Sequence, residues 1–213
     1  MVNVQDPNTF APFQGDCDFL DAEILHLRYR AQRIAAQADL RTRQQAEEGD
    51  DGRPGRHSVR DLKCKVRDLL EREQELREAI DARLKSTRED GTRPMLGLDR
   101  LCAAHRLDPD ERMILLALAV PAISPALSEA TFGDLLSAYR GLNLAEVVRL
   151  LDPQDVAGWV NARHHFDPDG ALLAAGLILL EPVQPADAPD GFWHLDARLT
   201  HAGFNAITGD RQP

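Results

Sequence analysis

Apolar residues recur through the first half of the chain at alternating steps of four and three: Leu20, Ile24, Leu27, Ala31, Ile34, Ala38. This is the seam of a helix packed on another helix, and the positions between are mostly Arg, Gln, Asp and Glu. The stretch Gly49–His57 breaks the pattern with three glycines and a proline. Ser58 then restarts a helix as N-cap, with Asp61 at the capping-box position. A second seam follows at Val59, Leu62, Val66, Leu69, Glu73, Leu76 and Ile80, with Leu84 close behind. Two seams of near-equal length on either side of a short loop predict an antiparallel helical hairpin, a coiled coil, over residues 19–88. Its helices are placed at 19–46 and 58–86, each roughly 40 Å long at about 1.5 Å per residue. The leading segment, residues 1–18, carries Phe10 and Phe13, which are expected to cap the base of the hairpin.

The linker Glu89–Pro94 is the expected boundary to a second unit over residues 95–213. Helix starts follow one another there. Leu98–His105 is a short amphipathic helix that buries Leu98, Leu101 and Cys102 and exposes Arg100. Asp108-Pro109-Asp110-Glu111 combines an N-cap acid, proline at the first helical position and acids in the first turn. The helix it opens is apolar nearly all round from Met113 to Val120, as a central buried helix should be. Further starts are read at Thr131, with a helix to about Gly141, and at Asn143-Leu-Ala-Glu146, Asp152-Pro153 and Asp167-Pro168. The pattern then changes to a strand at Leu177–Pro182, a loop, and a returning strand at Phe192–Leu199. Thr200 caps a last helix to Thr208.

Helices followed by one β-hairpin are the layout of a winged-helix domain. The fold expected is therefore mainly α: the hairpin, then a helical winged-helix-like domain with one small β-hairpin. The run Leu98–Pro121 resembles the opening of the helical, winged-helix-like N-terminal domain of a group of bacterial AAA+ ATPases. So do Thr131–Leu136, Phe166–Asp169, Gly176–Glu181 and Leu195–Thr200, and relatives carry a charged helical stretch like Leu70–Arg88 ahead of that domain. The resemblance spans roughly Leu70 to Gly209 and rests on packing patterns. It implies a region that recruits partners or substrates for an ATPase motor. Either the chain is an N-terminal portion of a longer protein, or no motor is attached. No residue of the motor is carried over. The three lysines, Lys63, Lys65 and Lys85, do not follow a glycine, so no P-loop is present and the chain alone is not expected to bind ATP.

Charge sharpens this picture. Residues 95–213 hold 16 acidic and 8 basic side chains, a net of −8, against −2 for residues 1–94. An acidic surface repels nucleic acid and anionic lipid, and no apolar run approaches the ~20 residues of a membrane helix. The N-terminus lacks a signal-peptide pattern, and Cys17, Cys64 and Cys102 are scattered and odd in number, which suits a reduced, cytoplasmic protein. No catalytic, cofactor-binding or metal-ligating set is expected. His164, His165, His194 and His201 lack ligand spacing, and Asp108, Asp110, Asp167 and Asp169 are read as helix caps. Leu177–Glu181 looks like a Walker-B strand but has no P-loop to serve, and reads as a core strand.

The expected function is a non-catalytic interaction module. Its candidate protein contacts are Trp159, Phe166, Phe192 and Trp193. The hairpin buries one stripe per helix, so it should lean on a partner protein, on a second copy of the chain, or on the second unit. The competing expectation is a winged-helix DNA-binding transcription regulator with a dimerising hairpin; an enzyme with an unrecognised site ranks third.

Overall fold

The computed structural model describes residues 11–49, 58–91, 95–133, 142–182, 191–193 and 195–209. The two seams become α1 (Asp16–Gly49) and α2 (Val59–Asp90). Ser58 and Asp61 form the expected capping box, and Gly91 ends α2 in a left-handed conformation (φ 59°). Cross-helix pairs run in opposite order along the two helices: Asp18 with Arg83, Glu23 with Arg77, Arg33 with Glu73. The hairpin is therefore antiparallel. Phe13 closes its base: its backbone N–H donates to Thr87 Oγ1 at 2.8 Å, and the Arg83 guanidinium stacks on its ring at 3.9 Å. Phe10 and the loop 50–57 lie outside the described residues.

Next come α3 (Gly97–His105) and α4 (Pro109–Ile123). Asp108 caps α4 with Glu111 in a reciprocal box, and every residue from Ile114 to Val120 is buried. Ser124 is extended; it ends α4 and caps an unexpected helix, α5 (Pro125–Phe132), with Pro125 in its first turn. Thr131 thus closes a helix where the sequence alone predicts a start. The remainder of that predicted helix, 134–141, lies outside the described residues.

The rest comprises β1 (Leu142–Asn143), α6 (Leu144–Leu150), α7 (Val156–His164), α8 (Ala171–Ala174), β2 (Ile178–Pro182), β3 (Leu195–Leu199) and α9 (His201–Thr208). The expected hairpin β2–β3 is present, with Ile178 opposite Leu199 and Pro182 opposite Leu195. A third strand adds to it: β1 pairs with β3 through Leu142 and Ala197, giving an antiparallel sheet of order β1-β3-β2. Two residues show no alternation, so β1 leaves no periodic signal. Phe192 and Trp193 sit in a turn ahead of β3, not in it.

Two Asp-Pro pairs do not start helices. Asp155, not Asp152, caps α7, its Oδ1 accepting from the Gly158 N–H at 2.8 Å. Asp152 adopts a left-handed φ of 59°, and its carboxylate turns to Arg33. Gly170 precedes α8, while the Asp167 carbonyl accepts from the Gly170 N–H. Among the described residues no helix is long and apolar enough to cross a membrane.

Helix α1 is the common wall. It packs on α2, α4, α5, α6 and α9. One apolar cluster joins Phe19, Leu27 and Ile80 of the hairpin to Leu115, Val120, Leu144 and Ile207. The backbones of α3 and α9 touch at Gly97, where a Cβ would come within 2.6 Å of the Ala206 carbonyl oxygen. Continuity of the cluster predicts one cooperative unit. Leu115→Ala should cost about 2–5 kcal/mol. In urea it should lower the midpoint of far-ultraviolet dichroism, dominated by α1 and α2, together with that of the fluorescence of Trp159 and Trp193. Two separated midpoints would mean that the hairpin folds apart from residues 95–209.

Candidate interaction face

Helices α6 and α7 are joined by a short turn at Leu151–Asp155, the connectivity of a helix-turn-helix. The outward side of α7 exposes two valines, Val156 at 80% and Val160 at 53%, in its first two turns, and Asn161, Arg163 and His164 toward its C-terminal end. Its one arginine, Arg163, lies over the Phe192 ring at 4.4 Å. His164 Nδ1 lies 2.9 Å from the Asp167 carboxylate.

The four aromatic side chains expected as contacts come together beside α7. Trp159 meets Trp193 edge-on with ring centroids 5.6 Å apart, Trp193 meets Phe192 at 5.1 Å, and Phe192 meets Phe166 at 6.5 Å. Phe166 is buried and belongs to the core, whereas Trp159, Phe192 and Trp193 are half-buried. The wing residues 183–190 and His194 lie outside the described residues.

What holds the α6–α7 turn in place comes from the hairpin. Arg30 Nε donates to the Leu150 carbonyl at 2.6 Å, and its Nη2 to the Leu151 carbonyl at 3.1 Å. These are the unpaired carbonyls at the C-terminus of α6, where a cation is favoured. Arg33 Nη1 binds the Asp152 carboxylate at 2.7 Å. Both arginines are anchored on buried Glu73, Arg33 at 2.6 Å and Arg30 at 3.3 Å. Read as a sequence, these arginines are solvated positions between seam residues, because nothing within a few residues of them marks a distant partner.

Between the hairpin and the α3–α4 pair runs a groove of about 1070 Å³. Glu23, 1% exposed, receives Arg77 from α2 and Arg112 from α4; Arg88 binds Asp99 of α3. His26 is buried in this wall, and its pKa is lowered to about 4, first by burial and then by Arg77. Cys102, also on the wall, is pushed up to about 11 by burial, which keeps it a thiol, whereas Cys17 and Cys64 are exposed.

The structure also brings Asp108, Glu111 and His165 within 4.8 Å of one another. Asp108 and Glu111 each commit an oxygen to the α4 capping box, and a metal ion would have to compete with those backbone N–H bonds. They serve as the cap that the sequence predicts. Glu181, the Walker-B-like acid, lies on β2 and pairs with Arg198 at 3.2 Å.

An antiparallel β1-β3-β2 sheet behind a helix-turn-helix defines a winged helix. The chain matches the family described as winged helix domain, variant, over residues 2–201, and it belongs to that family. No curated protein and no solved structure matches it.

Proposed function

We propose that this winged helix domain is a protein-docking module that recruits a partner or substrate to an AAA+ ATPase motor. The observation that carries docking is the exposure of Val156 and Val160 in the first two turns of α7, where the N-terminal part of a DNA-reading helix would present polar or basic side chains. The half-buried Trp159 and Trp193 extend that apolar surface, and aromatic side chains suit protein interfaces. The net charge of −8 over residues 95–213 adds long-range repulsion of phosphate. The motor half of the proposal rests on the resemblance of Leu98–Pro121 and the later stretches to the N-terminal domains of AAA+ ATPases.

Three measurements test it. Fluorescence anisotropy with random duplex DNA at ~100 mM salt should show no submicromolar, salt-sensitive binding. Such binding would instead favour a transcription regulator dimerised by its hairpin. The motor to assay is an AAA+ core encoded in the same reading frame or beside it. Val156→Asp combined with Val160→Asp should weaken its capture about tenfold, ~1.4 kcal/mol, and change the unfolding free energy measured in urea by no more than about 0.5 kcal/mol, as surface changes do. Capture at unchanged affinity would sink the α7 face. The chain alone should give no heat with Mg-ATP, and micromolar affinity would contradict the reading.

A further inference from the structure

We propose that the groove between the hairpin and the α3–α4 pair binds a basic, amphipathic segment of a protein partner. Its apolar side chains would seat on Leu70, Leu107 and Met113, and its lysines or arginines would meet Glu78, Asp108 and Asp110. The inference goes beyond the α7 face and does not depend on it.

The charges of the groove carry the choice of occupant. Five arginines line it, and each is already engaged: Arg30 and Arg33 by Glu73, Arg77 and Arg112 by Glu23, Arg88 by Asp99. Glu23, Glu73 and Asp99 are buried, so drawing a guanidinium toward an incoming anion would strand a buried carboxylate, which is costly. An anionic ligand is therefore disfavoured despite the arginines. On the carboxylate side there is surplus. Among the described residues no lysine or arginine pairs with Glu78, Asp108 or Asp110. Asp108 and Asp110 have half-exposed carboxylates, and the ring nitrogens of His165 lie 3.8 and 3.7 Å from them. Seven carboxylates face five guanidiniums across the lining, and His26 is neutral at pH 7, so the groove is net negative. Its attraction is for cations, and Glu78, Asp108 and Asp110 are exposed to them.

The apolar part of the lining requires an amphipathic occupant. Leu70 is 39% exposed on α2, off the seam that meets α1, and lines the groove. Half-buried Leu107 and Met113 face it from the α3–α4 side, above buried Leu116. Methionine adapts to varied apolar side chains. The volume of about 1070 Å³ lies just above the ~300–1,000 Å³ of small-molecule pockets and suits several side chains of a helix laid in a groove. The buried ion pairs make the walls pre-formed, so little ordering is needed on binding.

The probe is a fluorescein-labelled peptide of about 16 residues with leucine and lysine at helical spacing. Anisotropy is read at ~150 mM salt, where unspecific attraction is screened within about 8 Å. Micromolar binding is expected. Replacing the lysines by glutamate, or the leucines by serine, should each weaken it about tenfold or more. Glu78→Lys with Asp110→Lys, and separately Leu70→Ser, should do the same; all three sites are exposed, and circular dichroism checks the fold. Val156→Asp with Val160→Asp should leave peptide binding unchanged, so that failure here and failure of the α7 face are distinguishable. The proposal is overturned if the leucine–lysine peptide does not bind. It is also overturned if the charge-reversed groove binds it equally, or if the serine peptide binds as well, since attraction to an acidic chain would then suffice.

Discussion

Glu73→Ala should lower the unfolding free energy by about 3–5 kcal/mol, the range for breaking a buried ion pair from one side. Glu73 is 6% exposed and receives both Arg30 and Arg33. Removing it leaves the nearly buried Arg33 guanidinium with Asp152 as its remaining carboxylate and frees Arg30 from its anchor. Both arginines hold the C-terminal end of α6, so the variant should also loosen the α6–α7 turn. Tryptophan fluorescence, from residues on and beside α7, reports that loosening, and the urea midpoint reports the free energy. Glu71→Ala is the control. Its contact with Arg67 is exposed and 3.9 Å long, so its loss should be within about 0.5 kcal/mol. Arg33→Ala should cost less in the Glu73→Ala background than alone, because the pair shares one interaction. A loss below about 1 kcal/mol for Glu73→Ala would show that the arginines find water or other acids at little cost.

Acid should destabilise the protein through His26. Burial, and after it Arg77, lower the folded-state pKa of His26 from 6.5 to about 4; Glu73 opposes this, while Arg30 and Arg112 add to it. The unfolded chain therefore binds a proton between pH 6.5 and about 4 that the folded chain refuses. Stability is fully present above pH 6.5 and falls as pH drops toward about 4, by about 3 kcal/mol at 1.36 kcal/mol per pH unit. The measurement is the urea midpoint from pH 7.5 to 4, for the native chain and for His26→Gln. The two profiles should diverge across this window, with His26→Gln flatter, since every carboxylate is common to both. Parallel profiles would remove His26 as the cause.

The apolar seams, with caps at Ser58, Asp108, Asn143 and Thr200, make the helical order legible, because a cap bonds a backbone N–H three residues on. The same rule should find α5, where Ser124 and Pro125 form a cap and a first turn. It fails at Asp152-Pro153, since Asp152 sits at a φ of 59° instead of the extended backbone of an N-cap, and its carboxylate turns to Arg33. The aromatic set is legible as a set of large apolar residues. That Phe166 goes to the core while Trp159, Phe192 and Trp193 stay half-buried depends on which elements meet.

Local chemistry by itself determines where most helices start, which stripe of each hairpin helix is apolar, and that the chain is acidic. Each depends on side chains within a few residues of one another or on simple composition. Tertiary structure alone decides that β1 joins the sheet, that Glu23, His26 and Arg33 leave the polar side of α1 for the interior, and that Arg30 holds a carbonyl 120 residues away. The physical reason is that α1 is covered on several sides at once. A charged residue there is buried against partners that no sequence spacing records, and its burial is tolerated because each of those partners is in place.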